Sequence, residues 1–484
     1  MRINIFTFAV AFFAISNCTS AQNLHSLNAT TSKVVVDSTS VTIEDAVTMA
    51  YINNLSMEAA QYAIKAAEHQ KKAAWGLGVP KIGVGAAYTY MSDDIGHIDF
   101  NAEKNGLVDI IGGLPLPIPP QIIEGLKSLD LSYTLQDRDF ALVEATIVAP
   151  IFTGGKIRVA NNVAKLRISQ AQNDMMEART LLFSEITERY WGLVMAKSVE
   201  NLNLQLLETM IHHASDARKL EQNGMIASTE RMYIDMAVAQ AKAALTSAKN
   251  NTTTINSALG NSVGNKGNYT VTTPLFINTT LEPLEFFNQH TMTNSHALQK
   301  MELFKKLSEQ AVKMERSKFF PTIAAIGGAT LWDYQLSDQL PRWVVGATMT
   351  WSLFDGLTRE HNFKAAKLNQ QRVEVLQDKA KIDIKTLVEK LYNQTQSALE
   401  MVNAYESTIE FAEQYLRAKQ LAFNEGMATS VELVDAELNL SKAKVERMAA
   451  AYGFDMALCN LLAVSGLSEN YTKYLIDNGY TPIQ

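Results

Sequence analysis

"APIFTGGKIRVANNVAKL", residues 149–166, lies against "WSLFDGLTREHNFKAAKL", residues 351–368, at an offset of 202 positions. Phe152 then pairs with Phe354, Gly154 with Gly356 and Leu166 with Leu368. The offset persists: Tyr190 meets Tyr392, and "NGMIAS" (223–228) meets "EGMATS" (425–430), so 70 residues separate the two glycines in both copies. A register held that far without a gap marks an internal duplication.

Upstream the offset becomes 241: Asn53 pairs with Asn294 and Pro80 with Pro321, 27 residues apart in each copy. The first copy therefore carries 39 additional residues between Pro80 and Phe152. They fall in "IGHIDFNAEKNGLVDIIGGLPLPIPPQIIEGLKSLDLSYTLQ" (95–136), rich in Gly and Pro and without sustained periodicity, which predicts a long loop with short elements at most.

Each copy parses in the same order. Thr42 and Asp45 form a capping-box pattern opening a helix to about Ala74, which Gly76, Gly78 and Pro80 end. The period then switches to two. In "KIGVGAAYTYM", Ile82, Val84, Ala86, Tyr88 and Tyr90 share a face; in "WVVGATMTWSLF", Trp343, Val345, Ala347, Met349, Trp351 and Leu353 do, opposite small or polar residues. With 141–152 and 322–334 this predicts four strands, two of them plainly alternating and near the ~9–11 residues of a tilted transmembrane strand. From Gly155 to about Gln222, and from Thr358 to Asn424, no proline interrupts a helix-compatible pattern. About 67 helical residues at ~1.5 Å each span ~100 Å, and such a helix needs partners along its length. Further helices follow Gly224 and Gly426, so these glycines mark hairpin tips. Four strands cannot close a barrel, and unpaired edges are not tolerated in lipid; other copies must complete the sheet.

Composition narrows the class of partner. Of 484 residues 19% are charged and 47% hydrophobic; a formal charge of -7 and the lack of a basic run exclude nucleic acid. Arg2, the apolar "IFTFAVAFFAI" and "CTSA" have the three regions of a secretory signal peptide cut after Ala21, with Cys18 as an alternative lipoprotein cysteine. Cys459 is then the one remaining cysteine, so no disulfide and no CxxC metal site is expected. His212 and His213 are adjacent and point to different helix faces, which does not suit a metal. "TGGKIR" lacks the first glycine and the Ser/Thr of a phosphate loop and reads as a turn. No catalytic motif and no cofactor site is found.

"TIEDAVTMAYINNLSM" (42–57) resembles the opening helix of TolC-like outer-membrane efflux proteins, and "FNEGMATSVELVDAELNL" (423–440) resembles that family's second hairpin tip. The doubled order of helix, two strands, long helix and return helix matches over about 42–465. The resemblance implies an α+β membrane protein: a homotrimer whose twelve strands form one outer-membrane barrel and whose helical hairpins form a periplasmic tunnel. It implies outer-membrane lipid around the barrel, and a periplasmic adaptor and an inner-membrane pump, proton-driven or ATP-driven, as partners of an exit duct for efflux or type I secretion.

The boundaries that follow are a signal peptide at 1–21, a linker at 22–41, a first repeat at 42–265, a linker at 266–285, a second repeat at 286–465 and a tail at 466–484. By the resemblance, Gly224, Met225, Gly426 and Met427 are adaptor-docking tips. Glu432 and Asp435, six and nine positions past Gly426, line the periplasmic gate with Phe423; Glu230 is the first copy's weaker equivalent. Three apart on a helix, Glu432 and Asp435 share a face, where a threefold arrangement would make six mutually repelling carboxylates that hold cations. On spacing alone they suit a solvated helix face better than a pore, and it is the resemblance that favours the gate. Phe423 stands where the family's lock has a tyrosine and Ala428 where it has an arginine, so a hydrogen-bonded lock of that kind is not expected. Trp343 and Trp351, with Tyr88 and Tyr90, suit barrel aromatic belts or the core of a soluble sheet alike. The competing class is an exported, soluble coiled-coil scaffold without transport.

Overall fold

The two copies differ in sequence at most positions, yet their elements begin and end in register. A computed structural model describes residues 39–264 and 267–483; the expected signal peptide and Cys18 lie outside them. The first copy runs β1 (Thr39–Val41), α1 (Ile43–Asn53), α2 (Leu55–Gly76), β2 (Lys81–Tyr90), β3 (Ile98–Asn101), α3 (Leu107–Gly112), α4 (Pro120–Lys127), β4 (Asp130–Tyr133), β5 (Asp139–Phe152), α5 (Lys156–Gln222) and α6 (Ser228–Val263). After β6 (Tyr269–Val271) and β7 (Leu275–Asn278) come α7 (Leu284–Asn294), α8 (His296–Ser317), β8 (Thr322–Tyr334), β9 (Trp343–Thr350), α9 (Thr358–Asn424), α10 (Ser430–Val464), a 3-10 turn (Ser468–Leu475) and β10 (Tyr480–Ile483).

Both long helices are 67 residues, as the uninterrupted pattern predicts. The opening helix is not one piece. Thr42 makes the predicted capping box with Asp45, but the helix stops at Asn53 and restarts behind Asn54, whose side chain accepts from Ser56 N at 2.8 Å and donates to Ser262 O at 3.0 Å. The second copy breaks between Asn294 and His296. The cause lies at the far end of the return helices. Gly264 and Gly466, 202 positions apart, end α6 and α10 at φ +80° and +69°; a Cβ on them would stand 2.7 Å from the Cβ of Asn53 and of Asn294. Each return helix thus ends against the break in its own copy's opening pair.

The helices form a wall four columns wide. Nearest the strands the order is α2, α5, α8, α9; nearer the tips α6 replaces α2 beside α5, and α10 replaces α8 between α5 and α9. At the changeover lies the main core. Trp191 and Tyr190 of α5 are fully buried; Trp191 Nε1 donates to Tyr471 Oη at 2.7 Å, and Tyr190 Oη donates to Val41 O at 3.0 Å. Segments expected as linker and tail build this region: β6 pairs in parallel with β1, and β7 antiparallel with β10. Asp455 is buried here beside Phe276, whose N–H points to its Oδ2 at 3.5 Å. Burial pushes this carboxyl well above its ordinary range, and pushes the buried Cys459 thiol up to about 12.

The four long strands form one antiparallel sheet, β2-β5-β8-β9, in which one edge of β2 and one edge of β9 have no partner among the described residues. Register carries the predicted faces across it: Ile82, Ile147, Gly327 and Val345 lie in one row, and Val84, Ala145, Ala329 and Trp343 in the next. The opposite face carries Gly83, Thr146 and Gly328, then Gly85, Glu144 and Thr330. One expectation is corrected. Alternation extends to Leu353, but pairing stops at Thr350, because Trp351 leaves the sheet and its Nε1 donates to Phe319 O at 3.2 Å.

Two consequences are measurable. Gly264→Ala or Gly466→Ala forces a Cβ into a backbone contact at positive φ and should cost about 1–3 kcal/mol, seen as a lower thermal midpoint; Gly426→Ala, with open space around it, should cost less. The raised carboxyl of Asp455 holds its proton to higher pH in the fold than in the unfolded chain, where an aspartate ionises near pH ~3.9. Its contribution is complete below that pH and declines as pH rises toward the folded value. Relative to wild type, Asp455→Asn should therefore gain stability between acidic and neutral pH; a difference that does not grow with pH would place a charged Asp455 in the core.

Candidate functional site

The tips are built by helix-ending chemistry. Gly224 and Gly426 adopt φ +68° and +72°, and the next residue's N–H reaches back five positions, Met225 to Leu220 O at 2.8 Å and Met427 to Ala422 O at 2.7 Å. This is a Schellman closure, which needs a residue free to enter the left-handed region. Met225 and Met427 project from the turns at 70% and 77% exposure, uncovered by the described residues.

α10 restarts at the N-cap Thr429, whose hydroxyl accepts from Glu432 N at 3.3 Å. Glu432 and Asp435 are both exposed and each has a partner. Lys419 of α9 bonds Glu432 Oε2 at 3.1 Å, and this carboxylate, foremost, raises the Lys419 pKa. Tyr233 of α6 donates to Asp435 Oδ1 at 3.1 Å; burial, then this bond, raises the phenol. Phe423 is half-buried on the last turn of α9.

Glu230 does not share this face. It turns toward α10 and accepts from Ser430 Oγ at 3.2 Å, with Ser430 N at 3.5 Å. The two return helices therefore cross-cap at the tips. Tyr233 and Asp435 occupy equivalent positions of the two copies, each nine past its tip glycine, and bond one another. The sequence signals this bond only through the duplication, and Lys419 and Ser430 not at all. Nearby, His213 Nε2 lies 3.7 Å from Glu437 Oε1, and no metal-ligand cluster occurs among the described residues.

At the other end, Tyr88 stands opposite Ala141 and Tyr90 opposite Asp139, near the loop end of the sheet with Trp343. Trp351 lies at the helix end, next to Phe319. All four rings are more than half exposed in the single chain. Among the described residues no helix is long and apolar enough to cross a membrane.

Amphipathic strands with open edges, joined to a wall of paired ~100 Å helices, define a class: a barrel-and-tunnel channel completed by several chains. Residues 46–265 and 289–467 match the outer membrane efflux protein family, and the chain belongs to it. No curated protein matches in sequence. Among solved structures, CusC is similar at TM-score 0.71 and 13% identity, over 88% of this chain and 92% of that one. VceC from Vibrio cholerae is similar at 0.66 and 15%, over 88% and 96%. The open state of MtrE from Neisseria gonorrhoeae is similar at 0.64 and 15%, over 88% and 89%. The protein is an outer-membrane efflux channel with its helices in the periplasm, rather than an enzyme or a soluble scaffold. Channels of this kind are homotrimers working with an adaptor and an inner-membrane pump.

Tyr233→Phe keeps the ring and removes the bond to Asp435. It should leave trimers intact but loosen the tips, seen as faster hydrogen exchange at 425–437 than in wild type.

Proposed function

We propose that three copies of this chain form the exit duct of a tripartite system, open to the exterior through a twelve-stranded barrel and gated at the periplasmic tips. The observation that carries the reading is the pair of unpaired sheet edges on β2 and β9. In lipid, donors and acceptors on those edges need partners, and the β9 of one copy against the β2 of the next supplies them. The helices support the same closure. On α9, Leu368, Val375 and Ile382 recur every seven residues at 65%, 69% and 68% exposure, a seam with no partner among the described residues. The exposed tyrosines and tryptophans at the two ends of the sheet then become interfacial belts.

At the tips, Gly224, Met225, Gly426 and Met427 form the surface for an adaptor: the glycines set the reversal and the methionines offer adaptable apolar contact. Glu432 and Asp435 line the constriction and favour cations. Their setting refines the electrostatics. Lys419 offsets Glu432 within each chain, whereas the phenol that donates to Asp435 brings no positive charge. Lys419, Glu432 and Asp435 together carry one net negative charge per chain. Glu230, engaged with Ser430, serves as a brace between the two return helices.

Planar-bilayer recordings test the gate. The Glu432→Gln, Asp435→Asn double variant leaves Lys419 uncompensated and should lose cation preference, shifting toward anions, and lose block by multivalent cations from the periplasmic side. Adding Lys419→Gln should return selectivity toward neutrality. Unchanged selectivity in the double variant would make these acids a solvated face and leave Phe423 as the constriction.

A further inference from the structure

The 39 residues that only the first copy contains form a structured projection with an uncovered apolar side. The β2–β5 hairpin is prolonged by an isolated bridge between Ile95 and Gln136 and by the β3–β4 ribbon, with α3 and α4 at its end. Its root is fastened to its own chain. Gln136, 7% exposed, donates to Gln335 O at 2.8 Å and accepts from Ser337 N at 2.8 Å, tying the ribbon to the β8–β9 loop. Beyond the root that support ends. α4 has no buried residue, although Ile122, Ile123 and Leu126 gather on one side of it and Gln121 and Glu124 on the other. Ile110, Leu116 and Ile122 are 68%, 65% and 51% exposed. So many exposed branched side chains on one short segment imply an occupant.

We propose that the occupant is the same projection of the neighbouring copies: the three inserts pack apolar side to apolar side above the barrel and narrow its extracellular mouth. This rests on the trimeric duct proposed above. The insert joins β2, the edge strand, to β5, so one of its two stems stands at the seam between subunits, and the next chain is what lies beyond that edge. Reach is sufficient. Twelve strands ~4.8 Å apart and tilted by ~40° enclose a radius of about 12 Å, and the eight residues of α4 extend about 12 Å. The second copy joins β8 to β9 through 335–342 alone, so each chain offers one such arm and a trimer three. Charge disfavours the other surface in reach: residues 95–136 hold five acidic and two basic side chains, a poor match for anionic lipid headgroups.

The test uses the full-length protein in intact cells. Ile110→Cys should give disulfide-linked dimers of the chain on mild oxidation. Gln121→Cys, on the polar side of α4, and the wild type, whose Cys459 is buried, should not. A photo-crosslinking residue at 110 should yield adducts of the chain with itself, and replacing 103–128 by a short Gly-Ser linker should raise severalfold the rate at which a bulky maleimide added outside labels Glu144→Cys, on the small and polar face of the sheet, while trimers persist on semi-native gels. Intact trimers with no Ile110→Cys crosslink, with adducts to lipid or to another protein instead, or with unchanged labelling after the deletion would overturn the proposal. A wild-type chain that forms no trimer would overturn it together with the duct on which it rests.

Discussion

The structure depends on one requirement: peptide groups in hydrocarbon must be hydrogen-bonded. A four-stranded sheet satisfies its interior strands and leaves two edges open, which soluble proteins blunt with charge, bulges or cover. Here neither edge is blunted. β2 and β9 are almost fully exposed on both faces, in a register that sorts apolar from small and polar side chains. Such strands make sense only as a segment of a closed barrel, and closure imposes repetition on everything attached to them. The helices inherit it: a chain that contributes a fraction of a cylinder at one end contributes the same fraction at the other, and the unpartnered stripe on α9 is the helical counterpart of the open strand edge.

Duplication explains how one chain meets this demand twice. Each copy supplies a strand pair, a long helix and a short upper helix stacked over a short lower one, so columns two helices long stand beside columns one helix long. The stacking point needs a helix end and a helix start in one place. Gly264 against Asn53 and Gly466 against Asn294 are that solution, reached twice with the same residue types. The turn between strand and long helix is less even. Gly155 and Leu357 occupy the same left-handed position in the two copies, and only the first has a residue suited to it.

Much of this was legible in sequence because the long helices lack proline and the strands alternate cleanly. The ends of α5 and α9 could be read to within a residue. What escaped has a common cause: it depends on contacts between distant segments. The break at Asn54 is made by Gly264 and Ser262, more than two hundred residues on, and nothing local to "AYINNLSM" distinguishes it from a continuous helix except two adjacent asparagines. Alternation through Trp351 and Leu353 continues past the last paired residue because side-chain pattern and backbone pairing are set by different neighbours. At the tips, spacing placed Glu432 and Asp435 on one face but could not supply Lys419 or Tyr233, which arrive from other helices.

The tips show how the duplication was put to use. In a twofold-like pair of hairpins, equivalent residues of the two copies face one another, so a hydroxyl in one copy and a carboxylate in the other can bond where two carboxylates would repel. Tyr233 and Asp435 are such a pair, and Glu230 with Ser430 is a second, two positions out of strict equivalence. These bonds hold the hairpins together while leaving a charge on the exposed side. They form a brace within each chain, joining the start of one return helix to the start of the other. A brace of this kind stiffens each tip as a unit.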